Sequence, residues 1–300
     1  MEILVTGGTG FIGAALCQAL QKAGHRLTVF TRDPRKVIAR WGDRVTPLSD
    51  FAEWEPQRRF DAVINLAGES IIDKRWSERR KQVLWDSRVT FTRRLVEAIE
   101  RAEAKPAVLI SGSAVGVYGH QADTVLDEGS PGHNGFGQRL CAAWEQEARQ
   151  AESLGVRVCI LRTGLVIGKH GGFLARMRLP FKLGLGARIG DGRQWMSWIH
   201  LVDHIAVTRF LLESPPLHGV FNATAPAPVT NADFTACLAK LMGRPAWLSF
   251  PAWLLRLGAG ERAELLLGSQ RVLPIRLLAE KFVFSFETLE PALREALDIS

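Results

Sequence analysis

The feature that most constrains the fold of this chain is a glycine-rich turn close to its first residue. Residues 2–6, EILVT, form a short apolar run, and the sequence TGGTGFIG follows at once and opens a segment with helical periodicity. Its glycines fit the spacings GxGxxG and GxxGxxG equally well. After a strand and before a helix, such glycines permit a tight turn and let the backbone approach a pyrophosphate, which the N–H groups of the helix then bind. The sequence therefore predicts dinucleotide contacts at Gly7, Thr9, Gly10, Phe11, Ile12 and Gly13.

The end of the second predicted strand discriminates between the two common dinucleotides. NAD sites usually place an acidic residue there to bind the ribose 2′-hydroxyl. Here the strand RLTVF is followed by Thr31 and Arg32, and a guanidinium can form a bidentate pair with a 2′-phosphate. Asp33 comes one position later, so NAD(H) stays an alternative cofactor. The sequence favours NADP(H), with Thr31 and Arg32 as contacts.

Strand-like and helical segments alternate through the first half of the chain. Strand-like runs at 61–66, 107–111 and 157–162 are separated by segments with helical periodicity. This alternation predicts βαβ units with right-handed crossovers, and hence an α/β fold with a Rossmann-type, doubly wound parallel sheet. From residue 230 the chain is mostly helical and punctuated by prolines. We expect a nucleotide-binding domain from residues 1–168 plus about 200–229, and a smaller, mostly helical C-terminal lobe on the substrate side from about 169–199 and 230–300.

The composition is that of an ordinary globular protein and argues against several classes. Of the 300 residues, 47% are hydrophobic and 23% are charged, and no apolar run reaches the roughly 18 residues that a membrane span needs. The first residues lack the basic segment and cleavage site of a secretion signal. The cysteines form no CxxC pair, which argues against a disulfide framework and a zinc site. We expect a cytoplasmic protein with no metal and no membrane partner.

The net charge of +7 raises the question of a nucleic-acid partner. The local cluster of basic residues comprises Arg75, Arg79, Arg80 and Lys81. It lacks the interleaved exposed aromatic side chains of a groove for single-stranded nucleic acid. A solvated helix face is the simpler interpretation, and we expect no nucleic-acid partner.

Further motifs resemble a known family of oxidoreductases. Asn65-Leu66-Ala67-Gly68, Ser111-Gly112-Ser113 and Tyr118-Gly119 follow the glycine turn as in extended short-chain dehydrogenase/reductases. The stretches RWSERRKQVLWDSRV, WMSWIHLVDH, FNATAPAPVTNADF and LGSQRVLPIRLLAEKFVFSF resemble an atypical branch, the epimerase family proteins, over nearly the whole chain. The resemblance implies NADP(H) binding and leaves the substrate open. It implies further cofactor contacts at Leu66, Ala67, Gly68, Arg88, Ser111, Arg162 and Val166.

The resemblance breaks down at the catalytic positions of the wider superfamily. Typical members use a serine, a tyrosine and a lysine, with the last two in the spacing Tyr-x-x-x-Lys. Ser113 matches the serine, whereas Phe136 and Leu140 stand at the other two positions. Tyr118 is the only tyrosine of the chain, and alanine, not lysine, stands four residues later. Because phenyl and aliphatic groups transfer no protons, the usual Tyr–Lys relay is ruled out.

Other polar side chains near the expected cleft are candidates for the missing proton donor. We predict Ser113 and Glu69 as catalytic residues. Further candidates are Glu145, Arg139 and His200.

The stretch WMSWIHLVDH offers two more features that could belong to a site. His200 and His204 lie four residues apart with Asp203 between them, which could indicate a metal, but the pattern lacks the glutamate of a zinc protease. A structural role for the pair is favoured. Trp195 and Trp198 could line a substrate pocket, although a place in the core is the simpler interpretation.

Together the residues predict an NADP(H)-binding oxidoreductase or epimerase-like enzyme with a non-standard active site and an unidentified small-molecule substrate. The second hypothesis is an NADP(H)-binding or redox-sensing protein without turnover. The first needs a polar proton donor beside the nicotinamide, and the second predicts tight binding without consumption of the cofactor. The sequence leaves a homo-oligomer open.

Overall fold

The computed structural model describes residues 1–169 and 171–299. The strands, in chain order, are β1 (Glu2–Thr6), β2 (Arg26–Phe30), β3 (Val45–Leu48), β4 (Ala62–Asn65), β5 (Val108–Ala114), β6 (Val125–Leu126), β7 (Arg157–Thr163), β8 (Leu165–Ile167), β9 (Ala187–Ile189), β10 (Trp195–Met196), β11 (Trp198–His200), β12 (Gly219–Ala223), β13 (Val229–Thr230), β14 (Leu248–Phe250) and β15 (Arg271–Val272). The helices, in chain order, are α1 (Phe11–Lys22), α2 (Pro34–Trp41), α3 (Glu78–Trp85), α4 (Phe91–Arg101), α5 (Phe136–Arg149), α6 (Gly172–Lys182), α7 (Leu201–Glu213), α8 (Asn231–Met242), α9 (Ala252–Ala259), α10 (Glu264–Leu267), α11 (Ile275–Ala279) and α12 (Leu289–Leu297). A π-helical turn, Asp86–Thr90, joins α3 to α4.

Seven strands form the central sheet, in the order β12-β7-β5-β4-β1-β2-β3. Every neighbouring pair is parallel. The direction of winding reverses at β1, since β2 and β3 lie on one side of it and the later strands lie on the other. The predicted Rossmann-type, doubly wound sheet is confirmed. In such sheets ligands bind beyond the carboxyl ends of the strands, at this reversal, and the glycine turn after β1 lies there.

Two apolar cores cover the faces of the sheet, because successive side chains of a strand point to opposite faces. In β1, Ile3 and Val5 belong to the first core and Leu4 belongs to the second. The first core includes side chains of α1 and α7, and the second includes side chains of α4. Helices packed on both faces make the sheet a rigid platform for the loops at its edge.

A third core forms the C-terminal lobe, which is mostly helical as predicted. It joins α6, α8 and α12 through buried side chains that include Leu174, Phe234 and Leu293. Asp203 in α7 ties the lobe to the sheet, because its carboxylate accepts hydrogen bonds from the backbone N–H groups of Ser285, at 2.7 Å, and Phe286, at 3.0 Å. The predicted boundaries at residues 168, 200 and 229 stay predictions. Across the described ranges, no helix combines the length and apolar character that a membrane crossing requires.

Candidate functional site

The glycines in the turn between β1 and α1 differ in whether packing requires them. Gly7 has a φ of +69°, and a Cβ at this position would collide with the carbonyl of Leu66. A Cβ at Gly13 would collide with the backbone of Gly7. At Gly10, by contrast, a Cβ would meet only the carbonyl oxygen of Gly7, at 3.2 Å. Gly7 and Gly13 are therefore required by packing, whereas Gly10 leaves open space above the turn.

The N-terminus of α1 faces this open space. Gly10 is its N-cap residue, and no side chain of the described ranges caps the helix there. The first N–H groups of a helix have no partner within it, and together with the helix dipole they favour an anion. The predicted contacts Phe11 and Ile12 lie in this first turn, with the Phe11 ring packed against Gly168 and Gly171 beyond β8. The uncapped helix and the cradle at Gly10 fit a pyrophosphate.

Arg32 follows β2 at the edge of the same turn. Its side chain is 88% exposed, and its Nη2 donates to Oε1 of Glu69 at 2.9 Å. The neighbouring Asp33 accepts from Nε of the exposed Arg35 at 3.3 Å. The hydroxyl of Thr31 exchanges hydrogen bonds with the backbone of Asp33. The predicted phosphate ligand Arg32 is therefore accessible, and its one carboxylate partner is Glu69 in the described ranges.

Two basic residues that the sequence analysis missed lie on α2, next to the glycine turn. Thr9, Lys36, Ala39 and Arg40 line a surface cavity of about 340 Å³ next to the glycine turn. Lys36 and Arg40 are four residues apart on α2, so they share one face of the helix. The four-residue spacing of Lys36 and Arg40 in the sequence could have revealed this basic helix face. With Arg32 at the end of β2, they give this side of the glycine turn three basic residues.

The loop after β4 closes the other side of the cleft. Ala67 N–H donates to Oγ1 of Thr6 at 3.2 Å, which holds the loop to β1. A Cβ at Gly68 would lie 2.9 Å from the guanidinium carbon of Arg88. Arg88 lies in the π-helical turn, donates from Nη2 to the carbonyl of Glu69 at 2.9 Å, and stacks over the Trp144 ring. Arg88 therefore supports the loop from below, and Leu66, Ala67 and Gly68 form its surface.

Glu69, a predicted catalytic residue, lies among arginines. Besides Arg32, its carboxylate is 3.6 Å from Nη1 of Arg80, which is largely buried. Nη2 of Arg80 also donates to the carbonyl of Ser70. Glu69 therefore bridges the end of β2 and the start of α3 across the cleft.

A buried polar cluster lies deeper, at the carboxyl ends of β5 and β7. Oγ of Ser113 donates to Oε1 of Glu145 at 2.7 Å. Arg162 donates to both oxygens of the same carboxylate, from Nε and from Nη2, each at 2.9 Å. Ser113 and Glu145 are only 5% and 6% exposed. Burial acts to lower the pKa of Arg162, but the hydrogen bonds to Glu145 outweigh it and raise that pKa above its usual value, so the guanidinium stays charged.

Tyr118 belongs to this cluster but is not available as a proton donor. Its hydroxyl is buried, donates to Oδ1 of Asn222 at 2.7 Å and accepts from Nη1 of Arg162 at 3.0 Å. Burial raises the pKa of Tyr118. Arg162, predicted as a cofactor contact, uses all of its nitrogen atoms within the protein. A direct contact of Arg162 with the cofactor stays a prediction.

Two other predicted contacts lie in strands. Ser111 in β5 is buried and accepts from Nδ2 of Asn65 at 3.3 Å, while Asn65 also accepts from Oγ1 of Thr6 at 2.7 Å. These bonds lock the ends of β1, β4 and β5 together. Val166 in β8 is buried in the first core, against which Phe11 also packs. Both residues can shape the floor of the cleft, and their contact with a cofactor stays a prediction.

Apolar side chains fill the region where a Tyr–Lys pair would stand. Phe136 begins α5 and packs edge-on against Trp76, with the ring centroids 5.1 Å apart. Leu140, one turn later, is 1% exposed in a cluster with Trp76, Leu84 and Trp144. Arg139 points to the exposed face of the helix. At Phe136 and Leu140 the first two turns of α5 therefore contribute packing to the cleft.

The two histidines at the junction of β11 and α7 make contacts that stabilise the fold. His200 caps α7, accepting from Val202 N–H, and its Nε2 lies 2.9 Å from Oε2 of Glu295. Nε2 of His204 lies 3.0 Å from Oγ1 of Thr163, and burial lowers the pKa of His204 to about 4. No group of three potential metal ligands occurs in the described ranges. Trp198 is fully buried, and Trp195 packs against Arg271.

The basic cluster at and just before the start of α3 contacts the C-terminal lobe. Nζ of Lys81 lies 2.7 Å from Oε2 of Glu261, and Nη2 of Arg75 donates to the carbonyl of Leu257. Arg262 in turn donates to the carbonyl of Ile72 at 2.9 Å. The segment before α10 thus lies over the loop that follows β4, on the cleft side of the sheet.

Comparisons with known proteins agree with this arrangement. A family model described as the NAD dependent epimerase/dehydratase family matches residues 3–223, and a domain of unknown function, DUF1731, matches residues 250–296. The epimerase family protein Mb2239 of Mycobacterium bovis is 40% identical, covering 97% of this chain and 96% of its own. The epimerase family protein SDR39U1 of the mouse is 38% identical over 99% of this chain and 100% of its own.

A solved structure extends the likeness to the fold. The crystal structure of human epimerase family protein SDR39U1 (isoform 2) with NADPH has a TM-score of 0.90 and 36% identity, and the match covers 99% of each chain. The family match spans the strands that build the cleft, from β1 to β12. The chain therefore belongs to the NAD-dependent epimerase/dehydratase family, in its branch of epimerase family proteins with an NAD(P)-binding Rossmann fold.

Proposed function

We propose that this protein binds NADP(H) in the cleft at the carboxyl ends of the strands and acts there as an oxidoreductase or epimerase-like enzyme on a small molecule. The observation that carries the proposal is the exposed guanidinium of Arg32 at the end of β2, with Lys36 and Arg40 next to the glycine turn on the helix that follows. A 2′-phosphate needs cations at this position, whereas a 2′-hydroxyl needs a carboxylate. The NADPH in the human relative supports the same choice.

The chain's own residues would hold the cofactor along the cleft. The cradle at Gly10 and the N–H groups of α1 bind the pyrophosphate, and Arg32 binds the 2′-phosphate. Leu66, Ala67 and Gly68 cover the dinucleotide from the β4 side. When bound, the nicotinamide supplies or accepts a hydride.

Proton transfer then falls to the cluster of Ser113, Glu145 and Arg162. The Ser113 hydroxyl donates to Glu145, and its oxygen, which also contacts the buried Cys141 thiol, has lone pairs with which it can accept a proton from a substrate hydroxyl. In substrate oxidation, the proton of Ser113 would move to the carboxylate as the substrate proton moves to Ser113, and the nicotinamide would take the hydride. In the reduction that consumes NADPH, the same two proton transfers would run in reverse, from a protonated Glu145 through Ser113 to the substrate oxygen. Two hydrogen bonds from Arg162 hold the Glu145 carboxylate in position for this transfer. Glu69 is the alternative group for this role.

The experiment measures NADPH consumption with a panel of ketones, quinones and nucleotide sugars. We expect turnover that falls about 10²–10⁴-fold in Ser113→Ala and in Glu145→Gln, the usual contribution of a placed proton-transfer group. Glu147→Gln is the matched control, since Glu147 lies on the same helix and pairs with Arg93 at the surface. Its turnover should equal that of the unmodified protein.

A redox-sensing protein without turnover is the second candidate, and two observations favour it. Ser113 is almost fully buried, and apolar packing fills the positions of Phe136 and Leu140. Tight NADPH binding with no consumption across the panel would support sensing and contradict the enzyme. Turnover that is unchanged in both cluster variants would instead refute the proposed proton path.

A further inference from the structure

The C-terminal lobe has an exposed apolar surface that the cofactor site does not use. Of the seventeen large apolar side chains exposed in the described ranges, nine lie within residues 171–190 and 240–258. Trp247 is 92% exposed, Leu257 is 72% exposed, and Trp253 is 64% exposed. Concentrated apolar exposure of this kind indicates an interaction site. We call residues 171–190 and 240–258 the lobe face.

Strand pairing makes the lobe face continuous. β9 and β14 are parallel partners, with Leu248 opposite Ala187 and Phe250 opposite Ile189. Leu185 lies two residues before Ala187, so it shares a sheet face with Leu248 and Phe250, and all three side chains are about half exposed. Residue 251 is the N-cap of α9, which then presents Trp253 and Leu257 to the outside. The two segments thus expose their apolar side chains side by side.

The lobe face is also strongly basic. Residues 171–190 contain four basic residues, residues 240–258 contain three, and neither segment contains an acidic residue. Arg176 pairs with Asp73 and Lys240 pairs with Glu290, both outside the face. Lys182, Arg244 and Arg256 are exposed, and no described carboxylate lies within ion-pair distance of them. Within the described part of the chain, the face therefore presents basic side chains without acidic partners among apolar groups.

Three basic residues of the lobe face line a cavity of about 410 Å³. Arg178 and Lys182 of α6 and Arg244 after α8 supply its charged wall. Apolar side chains at the ends of α8 and α12 supply the rest. Cations beside an apolar lining match a molecule with an anionic head and a hydrocarbon part.

We propose that the lobe face docks onto the surface of a bilayer that contains anionic lipids. Tryptophan is suited to the boundary between headgroups and acyl chains, and leucine is suited to the acyl region below it. Basic side chains are attracted to the negative surface of such a bilayer. Docking of this kind needs no spanning helix, so the proposal departs from the expectation of no membrane partner, which rested on the absence of a spanning segment.

The charge pattern argues against a second copy of the chain as the occupant. A two-fold symmetric contact would place this face against itself. Lys182, Arg244 and Arg256 would then face the same cations of the partner, with no acidic residue in either segment to compensate. Like charges across an interface oppose association. An anionic surface is the complementary partner.

Vesicle co-sedimentation of the full chain tests the proposal. One set of vesicles contains phosphatidylcholine alone, and the other contains equal parts of phosphatidylcholine and phosphatidylglycerol. We expect binding to the anionic vesicles, weaker binding at high salt because of screening, and no binding to phosphatidylcholine alone. Tryptophan emission should shift to shorter wavelength on the anionic vesicles, as Trp247 and Trp253 leave water.

Two double variants test whether the lobe face is the surface that binds the vesicles. Lys182→Glu with Arg244→Glu should weaken binding at least tenfold, since each basic residue near such a surface contributes about fivefold. Trp247→Ser with Trp253→Ser should weaken binding and abolish the emission shift. The matched controls are Lys22→Glu with Lys281→Glu, which make the same charge change elsewhere, and Val283→Ser at a side chain that is 82% exposed. Both controls should bind as the unmodified protein does.

Three results would overturn the proposal. The first is no binding to anionic vesicles by the folded, unmodified chain. The second is binding that both face variants leave unchanged. The third is a dimer in lipid-free solution that Trp247→Ser with Trp253→Ser dissociates, which would assign the face to a second copy of the chain.

Discussion

Gly10 separates the binding role of the glycine turn from its structural role. A side chain there meets only one backbone oxygen, at 3.2 Å, but it occupies the space that we assign to the pyrophosphate. We predict that Gly10→Val abolishes NADPH binding and lowers the free energy of unfolding by only about 1 kcal/mol, since valine is a poor N-cap residue. Calorimetric titration and denaturant unfolding measure the two effects.

Gly7→Ala is the contrasting variant for this prediction. Gly7 has a positive φ, and a Cβ would strike the Leu66 carbonyl, so the fold itself should be destabilised. If Gly10→Val binds NADPH as well as the unmodified protein does, the turn is a structural feature and not a pyrophosphate site.

Leu140 shows why the cleft cannot accept the usual lysine. The side chain is 1% exposed among Trp76, Leu84 and Trp144. We predict that Leu140→Lys lowers the free energy of unfolding by about 3 kcal/mol, because it buries an amine without a partner. Leu140→Met, which conserves the volume, should lower it by less than about 1.5 kcal/mol. Equal stability of the two variants in denaturant unfolding would mean that the lysine escapes to solvent and that the cleft has room for a relay.

At the scale of elements, α7 joins the sheet to the lobe through buried polar residues. His200 caps the helix, Asp203 binds the backbone of residues 285 and 286, and His204 contacts Thr163 in β7. The sequence suggested a metal site at this spacing as an alternative. The structure uses the same residues for three separate contacts, because the histidine and aspartate side chains point to different neighbours.

His204 makes the stability of the chain depend on pH. Burial lowers its pKa from 6.5 in the unfolded chain to about 4 in the folded chain. Between these values the unfolded state binds more protons, so stability is complete above pH 6.5 and falls as the pH drops toward 4, by about 3 kcal/mol in all. We predict that His204→Phe removes most of this slope in denaturant unfolding between pH 7 and 4.5. His218→Gln, at an exposed histidine, should leave the slope unchanged, and an unchanged slope in His204→Phe would contradict the assignment.

The local elements of the site could be predicted from the sequence, whereas its polar pairs could not. β1, the turn and α1 follow from hydrophobic pattern and glycine spacing within 22 residues, and Arg32 follows from the end of β2. The pair of Glu145 and Arg162 joins α5 to β7, and Asp203 meets a segment 82 residues further along the chain. Such contacts depend on how elements pack, which a local pattern does not specify. The basic face of Lys36 and Arg40 was readable from its spacing but was missed.

At the scale of the whole molecule, two groups of basic residues lie apart from each other in the sequence and in the fold. One comprises Arg32, Lys36 and Arg40 on this side of the glycine turn, and the other lies on the lobe face. The basic cluster at and just before the start of α3 is engaged with the lobe through Lys81 and Arg75. The chain carries a net charge of +7, and we propose a phosphate ligand and an anionic surface as the partners of these two groups.

The central claim is that Arg32 makes this cleft a site for NADP(H). Calorimetric titration of the purified chain with NADPH and with NADH tests it most directly, using Arg32→Ala and, as a matched control at the other end of β2, Arg26→Ala. We predict that NADPH binds at least tenfold more tightly than NADH, that Arg32→Ala loses most of this preference, and that Arg26→Ala keeps it. The loss should be about 1.5–3 kcal/mol, the contribution of a hydrogen bond to a charged group. Equal affinities for the two dinucleotides, or a preference that survives in Arg32→Ala, would contradict the account.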